Sequence, residues 1–218
     1  MHPFIISSNG GIVRIRSRHG DYFYSVDTPT GGADFQWIPN FPVEFQNNNN
    51  NNNASSLLTV LFETPHNIVL TKDHFFLIGT DHIVFDGLHH VFEILAPDYH
   101  GLFCCCGAEN SHVQNFQVVA GNQASLAEGG GWLMHPVTYN TTVKHCCSIG
   151  AVSARGGGLL GIDAICCTAM NCHYRGNILG EFAGGIFGQG AVQCEAVQCT
   201  SSVGNLFGEQ AVCCSSDC

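Results

Sequence analysis

Charge is what this chain has least of. Only 11% of its 218 residues are Asp, Glu, Lys or Arg, less than half the usual share of about 25%. Seven Lys and Arg against 17 Asp and Glu leave a formal net charge of −10. Phosphate neutralisation needs clustered cations, so no nucleic acid is expected as a partner, nor an anionic membrane surface. The one basic cluster, Arg14-Ile15-Arg16-Ser17-Arg18, alternates with uncharged residues, the pattern of a strand with one face outward. Apolar runs of about 18 residues are missing, so no membrane insertion is expected. The start, Met1-His2-Pro3-Phe4-Ile5-Ile6, lacks both a basic n-region and an h-region of useful length. No secretory signal is therefore expected, and the sequons at Asn53 and Asn140 are expected to be unused. Helical periodicity is missing throughout.

What is abundant is apolar surface, glycine and cysteine. Hydrophobic residues are 45% of the chain, which excludes overall disorder. Thirteen cysteines without a secretory signal favour reduced thiols or metal over a disulfide framework, and the odd number leaves at least one thiol unpaired. The tract Asn47 to Asn53 is low-complexity, and residues 47–56 are expected to be a flexible loop. It separates a strand-rich N-terminal cap or attachment arm, residues 1–46, from residues 57–218. Phe35 to Pro42 reads as extended chain lying on something apolar. After the tract, short apolar segments such as Leu57–Phe62, Asn67–Leu70, His74–Gly79 and Ile83–Gly87 alternate with turn residues. Strands of that length indicate an all-β chain.

A repeat organises the rest. A triplet recurs as Gly101-Leu102-Phe103, Gly131-Trp132-Leu133, Gly158-Leu159-Leu160, Gly185-Ile186-Phe187 and Asn205-Leu206-Phe207, spaced by 30, 27, 27 and 20 residues. A second marker ends at Phe116, Cys146, Cys172 and Cys199, spaced by 30, 26 and 27 residues. The two series advance together, as successive coils of one stack do. A single coil cannot bury its apolar face, whereas stacking at about 4.8 Å buries all of them in one column. The expected fold is a right-handed single-stranded parallel β-helix, a solenoid of about five to seven coils over residues 57–218. Leu102, Trp132, Leu159, Ile186 and Leu206 should share one column, and glycines should take the corners, where positive φ is required. Period-2 alternation puts Ile165, Val192 and Val212 inside with Cys167, Cys194 and Cys214, and puts Cys166, Gln193 and Cys213 outside. Cys146, Cys172 and Cys199 form a second inward ladder.

Gly184-Gly185-Ile186-Phe187-Gly188 and the Asn171-Cys172 turn resemble the Gly-rich "GLUG"-type repeats of bacterial surface proteins. With Phe85-Asp86-Gly87 and Gly101-Leu102-Phe103, the chain is more similar to the pectate-lyase-like β-helix repeat proteins encoded by giant DNA viruses of amoebae. The resemblance covers residues 57–218, but cysteine stands here where Ser, Thr or Asn is usual. It implies a virion or infection-associated protein rather than a named enzyme.

The chemistry-bearing residues do not assemble into a catalytic pattern. Asp163, Glu181, Glu195 and Glu209 with Arg155 and Arg175 are the groups a glycan-cleaving enzyme would use. Glu195 aligns with Thr168 and Ser215, Arg175 aligns near Ser202, and no two carboxylates share a coil position. Asp86 reads as a turn residue. His145-Cys146-Cys147, Cys104-Cys105-Cys106 and Cys172-His173 are rich in ligand types. Neighbouring strand residues face opposite ways, however, and no paired CxxC exists, so no metal and no cofactor is expected. His89, His90 and His135 read as surface or turn residues. Ice binding would need outward Thr ladders and is not expected. The chain is expected to be a non-catalytic structural or interaction protein, a virion or minor capsid-associated component assembled in host cytoplasm. Its expected partners are proteins of the capsid, or a second copy bound through the open C-terminal coil. The alternative is a glycan-binding or glycan-cleaving surface β-helix.

Overall fold

The computed structural model describes residues 2–18, 21–27, 34–48, 57–63, 67–71, 74–105 and 108–217. The loop expected over 47–56 lies outside these apart from Asn47 and Asn48, and the sequon at Asn53 lies outside them too. Among the described residues there are strands, turns and bends and no helix, hence no helix long and apolar enough to cross a membrane.

The strands run in chain order as follows. The N-terminal segment holds β1 (Phe4–Ser8), β2 (Gly11–Arg18), β3 (Asp21–Val26), β4 (Gln36–Ile38) and β5 (Val43–Asn47). Next come β6 (Leu58–Phe62), β7 (Ile68–Leu70), β8 (Phe76–Ile78), β9 (Ile83–Asp86), β10 (Val91–Ile94), β11 (Phe103–Cys105), β12 (Ser111–Gln114) and β13 (Gln117–Ala120). The last group is β14 (Thr141–Lys144), β15 (Cys147–Ile149), β16 (Thr168–Met170), β17 (His173–Arg175), β18 (Glu195–Val197), β19 (Thr200–Ser201) and β20 (Ser215–Asp217).

These strands form three sheets, and the chain visits them in rotation. Sheet 1 is β1-β5-β8-β11, and single bridges extend it through Met134, Leu160, Phe187 and Phe207. Sheet 2 is β20-β18-β16-β14-β12-β9-β6-β2-β3-β4, and sheet 3 is β19-β17-β15-β13-β10-β7. From β5 onward each round touches sheets 1, 2 and 3 in that order, with every strand parallel to its counterparts in adjacent rounds. Only β2-β3-β4 is antiparallel. The stacking does not begin at Leu57, the expected boundary. β1 pairs in parallel with β5 and β2 with β6, so both belong to the same sheets, and β3-β4 departs from the parallel order by extending sheet 2 antiparallel. Tyr22 and Phe41 carry that departure inward, with rings 5.0 Å apart, and Phe41 lies 5.7 Å from Phe76.

Inside, side-chain size falls along the stack. The inward column of sheet 2 runs Val13, Val60, Phe85, Val113, Val143, Ala169 and Ala196, all buried. Early rounds are filled by phenylalanines: Phe62 packs against Phe76, Phe92, Phe103 and Phe116 at 5.0 to 6.5 Å. Later rounds carry Ala and Cys in this column, and their large buried side chains, Trp132, Tyr174 and Phe187, lie outside sheet 2.

The triplet column differs from expectation by one residue in a single round. Phe103, Met134, Leu160, Phe187 and Phe207 are bridge partners, so Leu133, not Trp132, aligns with Leu102, Leu159, Ile186 and Leu206. Trp132 instead aligns with Gly158 and lies against Gly150, where an added Cβ would sit 2.8 Å from the indole.

The corners also differ. Among the described residues, eighteen non-glycine residues and only six glycines have positive φ. They form columns: Asn115, His145, Asn171 and Gln198 between sheets 2 and 3, and His82, Asn110, Asn140, Cys166, Gln193 and Cys213 before sheet 2. Each amide of the first column donates to the next round at 2.7 to 3.0 Å, which offsets the roughly 1–2 kcal/mol cost of a left-handed L-residue. Glycine is needed elsewhere, where rounds touch. A Cβ on Gly157 would fall on the Leu160 carbonyl and the Gly188 nitrogen.

Left-handed corners break the period-2 alternation. Ile165, Val192 and Val212, expected inside, are half-exposed or exposed, while Ala164 and Ala191 are buried. Two substitutions should therefore act in opposite directions. Gly157→Ala should cost about 3 kcal/mol or more, because backbone must move. Val137→Asn should raise stability by about 1 kcal/mol, since a β-branched residue sits there at φ 60. Urea unfolding midpoints with unchanged m-values check both.

Candidate functional site

The carboxylates expected to matter for glycan cleavage stay apart. Glu195 sits between Thr168 and Ser215 in sheet 2, the register read from the repeat. Arg175 follows the Tyr174–Ser201 pair and so lies opposite Ser202. Asp163 occupies a left-handed corner, and the backbone carbonyls of Glu181 and Glu209 bond the amides of Arg155 and Gly190. Arg155 donates from Nε to Gln189 Oε1 at 2.6 Å and lies 3.7 Å from Glu128, a solvent-exposed pair worth little. Across the paired strands no two carboxylates are register partners. Asp86, expected in the turn, is the last residue of β9, and its carboxylate joins the turn that follows and ties two rounds together. It accepts from Leu88 N, Asn115 Nδ2 and Gln114 Nε2, each at 2.9 Å.

The cysteines are ordered by the corners. In each of the later rounds a thiol follows the left-handed residue: Cys146, Cys172 and Cys199 after one corner, and Cys167, Cys194 and Cys214 after another. Each S–H donates to the carbonyl two residues back, as Cys172 does to Met170 at 3.3 Å and Cys194 to Val192 at 3.4 Å. Each also reaches a carbonyl of the preceding round, such as Ala164 from Cys194 at 3.2 Å. Thr141 makes the same bond, Oγ1 to the Tyr139 carbonyl at 2.7 Å, in the same column. Cysteine here is a small apolar residue that keeps the hydroxyl's donor, which explains its place where Ser or Thr is usual. Five of the six ladder thiols are buried, and Cys214, expected inside, is only half-buried. Cys166 and Cys213 occupy the left-handed corners and are exposed, as expected.

Electrostatics follow the stacking. Within the Cys167–Cys194 pair the Cys167 thiol would donate to a Cys194 thiolate, which draws Cys194 down to about 7. The same partnership, with burial, pushes Cys167 up. Cys172 is raised by Cys146 and by burial against a lowering contact with Cys199, and Cys199 is raised by Cys172 and by burial. Cys147, on the outer side, lies beside His173 in sheet 3. Burial raises its thiol against a weaker pull from Arg175, the reverse of what a nucleophile requires. His173 Nδ1 contacts Thr200 Oγ1 at 2.7 Å.

His135, expected at the surface or in a turn, is half-buried. It packs 5.1 Å from Phe75 and 5.9 Å from His100, with Nε2 at 3.0 Å from the Gly101 carbonyl. Burial brings its imidazole down to about 4, against the pull of that carbonyl. His112 is lowered as well, first by burial and then by Lys144 and His82. No periodicity flags such a histidine, because His135 follows a triplet whose register the repeat misplaces by one. Among the described residues no three His, Cys, Asp or Glu side chains converge as metal ligands.

No family model matches the chain, and no curated protein or solved structure does either.

The arrangement makes two measurable demands. Native-state alkylation read by mass spectrometry should label Cys166 and Cys213 quickly and Cys214 slowly. Cys146, Cys167, Cys172, Cys194 and Cys199 should label only after denaturation, and Cys194→Ala should cost on the order of 1 kcal/mol more than Cys194→Ser. Fast labelling of native Cys194 would reverse the inside and the outside.

The second demand concerns pH. His135 is neutral in the fold and titrates near 6.5 when unfolded, so the unfolded chain binds the extra proton. Stability is complete above about pH 6.5 and falls as pH drops toward about 4. Between about pH 7 and 5 the loss should be on the order of 2 kcal/mol. His135→Gln should flatten that slope in urea titrations.

Proposed function

We propose that the chain is a right-handed single-stranded parallel β-helix that works as a non-catalytic structural or interaction protein. The observation that carries this reading is the rotation through three sheets, each strand in parallel register with the round before and the round after. Parallel strands joined by a crossover are right-handed in about 98% of cases, which supports the hand. Sheet surfaces built this way are stiff and repetitive, suited to assembly rather than to closing around a substrate. The chemistry agrees: carboxylates are dispersed and the half-exposed Cys147 thiol is deactivated. The resemblance of the repeat to giant-virus proteins supports a place in a virion, as a minor capsid-associated component.

The docking surface in this reading is the far edge of the last described round. Parallel ladders alternate, and Ser215 donates back to Cys194 while Asp217 accepts from Gln198. The Ser216 amide and carbonyl therefore face away from β18, available to a strand from a protein partner or a second copy. A concavity of about 490 Å³ opens beside it, lined by Cys199, Ser201, Leu206, Phe207 and Ser216. Sedimentation velocity at rising protein concentration should show association. Ser216→Pro, which removes the outward donor, should shift the chain to monomer while leaving its melting temperature within a few degrees. A wild-type chain that stays monomeric at every concentration, or association that Ser216→Pro leaves intact, would count against this edge.

A further inference from the structure

We infer that the Cys194–Cys214 pair is a two-coordinate site for a thiophilic monovalent cation of the Cu(I) class. The Glu195–Ser215 register sets the two cysteines opposite each other in adjacent rounds. Their thiols are held alike, Cys194 on the carbonyls of Val192 and Ala164 and Cys214 on those of Val212 and Ala191, at 3.2 to 3.5 Å. Identically held side chains on neighbouring parallel strands are related by the strand spacing, about 4.7–4.9 Å. Twice a metal–thiolate bond of about 2.3 Å spans nearly that distance in a straight line. A disulfide, at about 2.05 Å between sulfurs, does not, so the spacing favours an inserted ion over oxidation.

Coordination number decides the class of ion. Zinc wants four ligands, and among the described residues no three ligand side chains converge. Soft thiolates select Cu(I) over hard cations, and an ion content with two ligands is what a column of thiols can serve. Adjacent Cys-Cys residues along one strand cannot chelate, because they face opposite ways, but partners in adjacent rounds face the same way. Cys214 is half-exposed and admits the ion, whereas Cys194 is 1% exposed and excludes water from the inner side. The Cys194 amide donates to Cys214 Sγ at 3.4 Å, which fixes the sulfur between the two rounds. On loading, two S–H bonds break, two metal–sulfur bonds form and two protons leave to solvent. No oxidant is consumed, and the site carries one negative charge.

The test is an anaerobic titration of the full chain with Cu(I) supplied as its acetonitrile complex, competed by a bathocuproine chelator. Native mass spectrometry and X-ray absorption provide the readout. Cu(I) should be retained with two sulfur neighbours, and Cys194→Ser or Cys214→Ser should each weaken retention at least about tenfold. Serine keeps the hydrogen bond that Thr141 makes in the same column, so these variants should keep the parent's circular dichroism. Cys166→Ser and Cys213→Ser should leave retention unchanged, and retention should fall as pH is lowered, because protons compete. Retention that survives loss of Cys194 and Cys214, or that depends on Cys166 or Cys213, would overturn the site. Three or four ligand atoms in the absorption spectrum of the parent chain, or no copper held against the chelator, would do the same.

Discussion

Each round of the chain must bring its backbone within hydrogen-bonding reach of the next, about 4.8 Å away, and most of the structure follows from that spacing. Side chains in one column are forced into contact whatever their chemistry. Where two rounds cross with no room for a side chain, only glycine fits, as at Gly157 and Gly158. Where the chain turns, a left-handed residue aims its amide at the round above. That bond recurs from Asn115 to Lys144, His145 to Met170 and Asn171 to Val197. The cost of the left-handed backbone is met locally, so Gln, His and Cys serve at corners that would otherwise call for Gly or Asn.

The same spacing explains the gradation of the core. Tilted and edge-on ring contacts suit centroids about 5 Å apart, and the early rounds use them repeatedly, with Phe85 and Phe103 at 4.8 Å and Phe103 and Phe116 at 5.0 Å. Later rounds carry small residues in sheet 2, Ala169 and Ala196, and bury Trp132 and Tyr174 outside it. Tyr174 shows how tightly this is fitted. Its ring lies where a Gly158 side chain would be, and its hydroxyl donates to the carbonyls of Gly150 and Asn177 at 2.9 and 3.0 Å.

What could be read from the sequence was whatever the corners wrote into it. The series Asn115-Phe116, His145-Cys146, Asn171-Cys172 and Gln198-Cys199 marks one corner per round, so the period, the strand class and the registers of Glu195 and Arg175 were legible. The triplet series misled at Trp132, because its glycine and large residue imitate the pattern one position early. Inside and outside were misread at Ile165, Val192 and Val212 because period-2 alternation holds only through extended backbone, and a left-handed residue intervenes. β1 and β2 were missed as members of the stack since neither carries a corner motif. The in-register Cys147–His173 neighbours and half-buried His135 were invisible for a related reason, as both depend on which round lies beside which.

The thiols bring these threads together. A serine in their place would satisfy the carbonyl two residues back but would add a more strongly hydrated group to a dry column, and an alanine would leave that carbonyl one donor short. Sulfur's larger radius also fills the narrow section beside Ala169 and Ala196, where a hydroxyl leaves space. Packing alone therefore accounts for one thiol per corner. It does not require the same residue type to recur in three successive rounds of both columns, because each corner is satisfied independently of its neighbour. Recurrence matters only to something that touches two rounds at once. A cation held between Cys194 and Cys214 is one such thing.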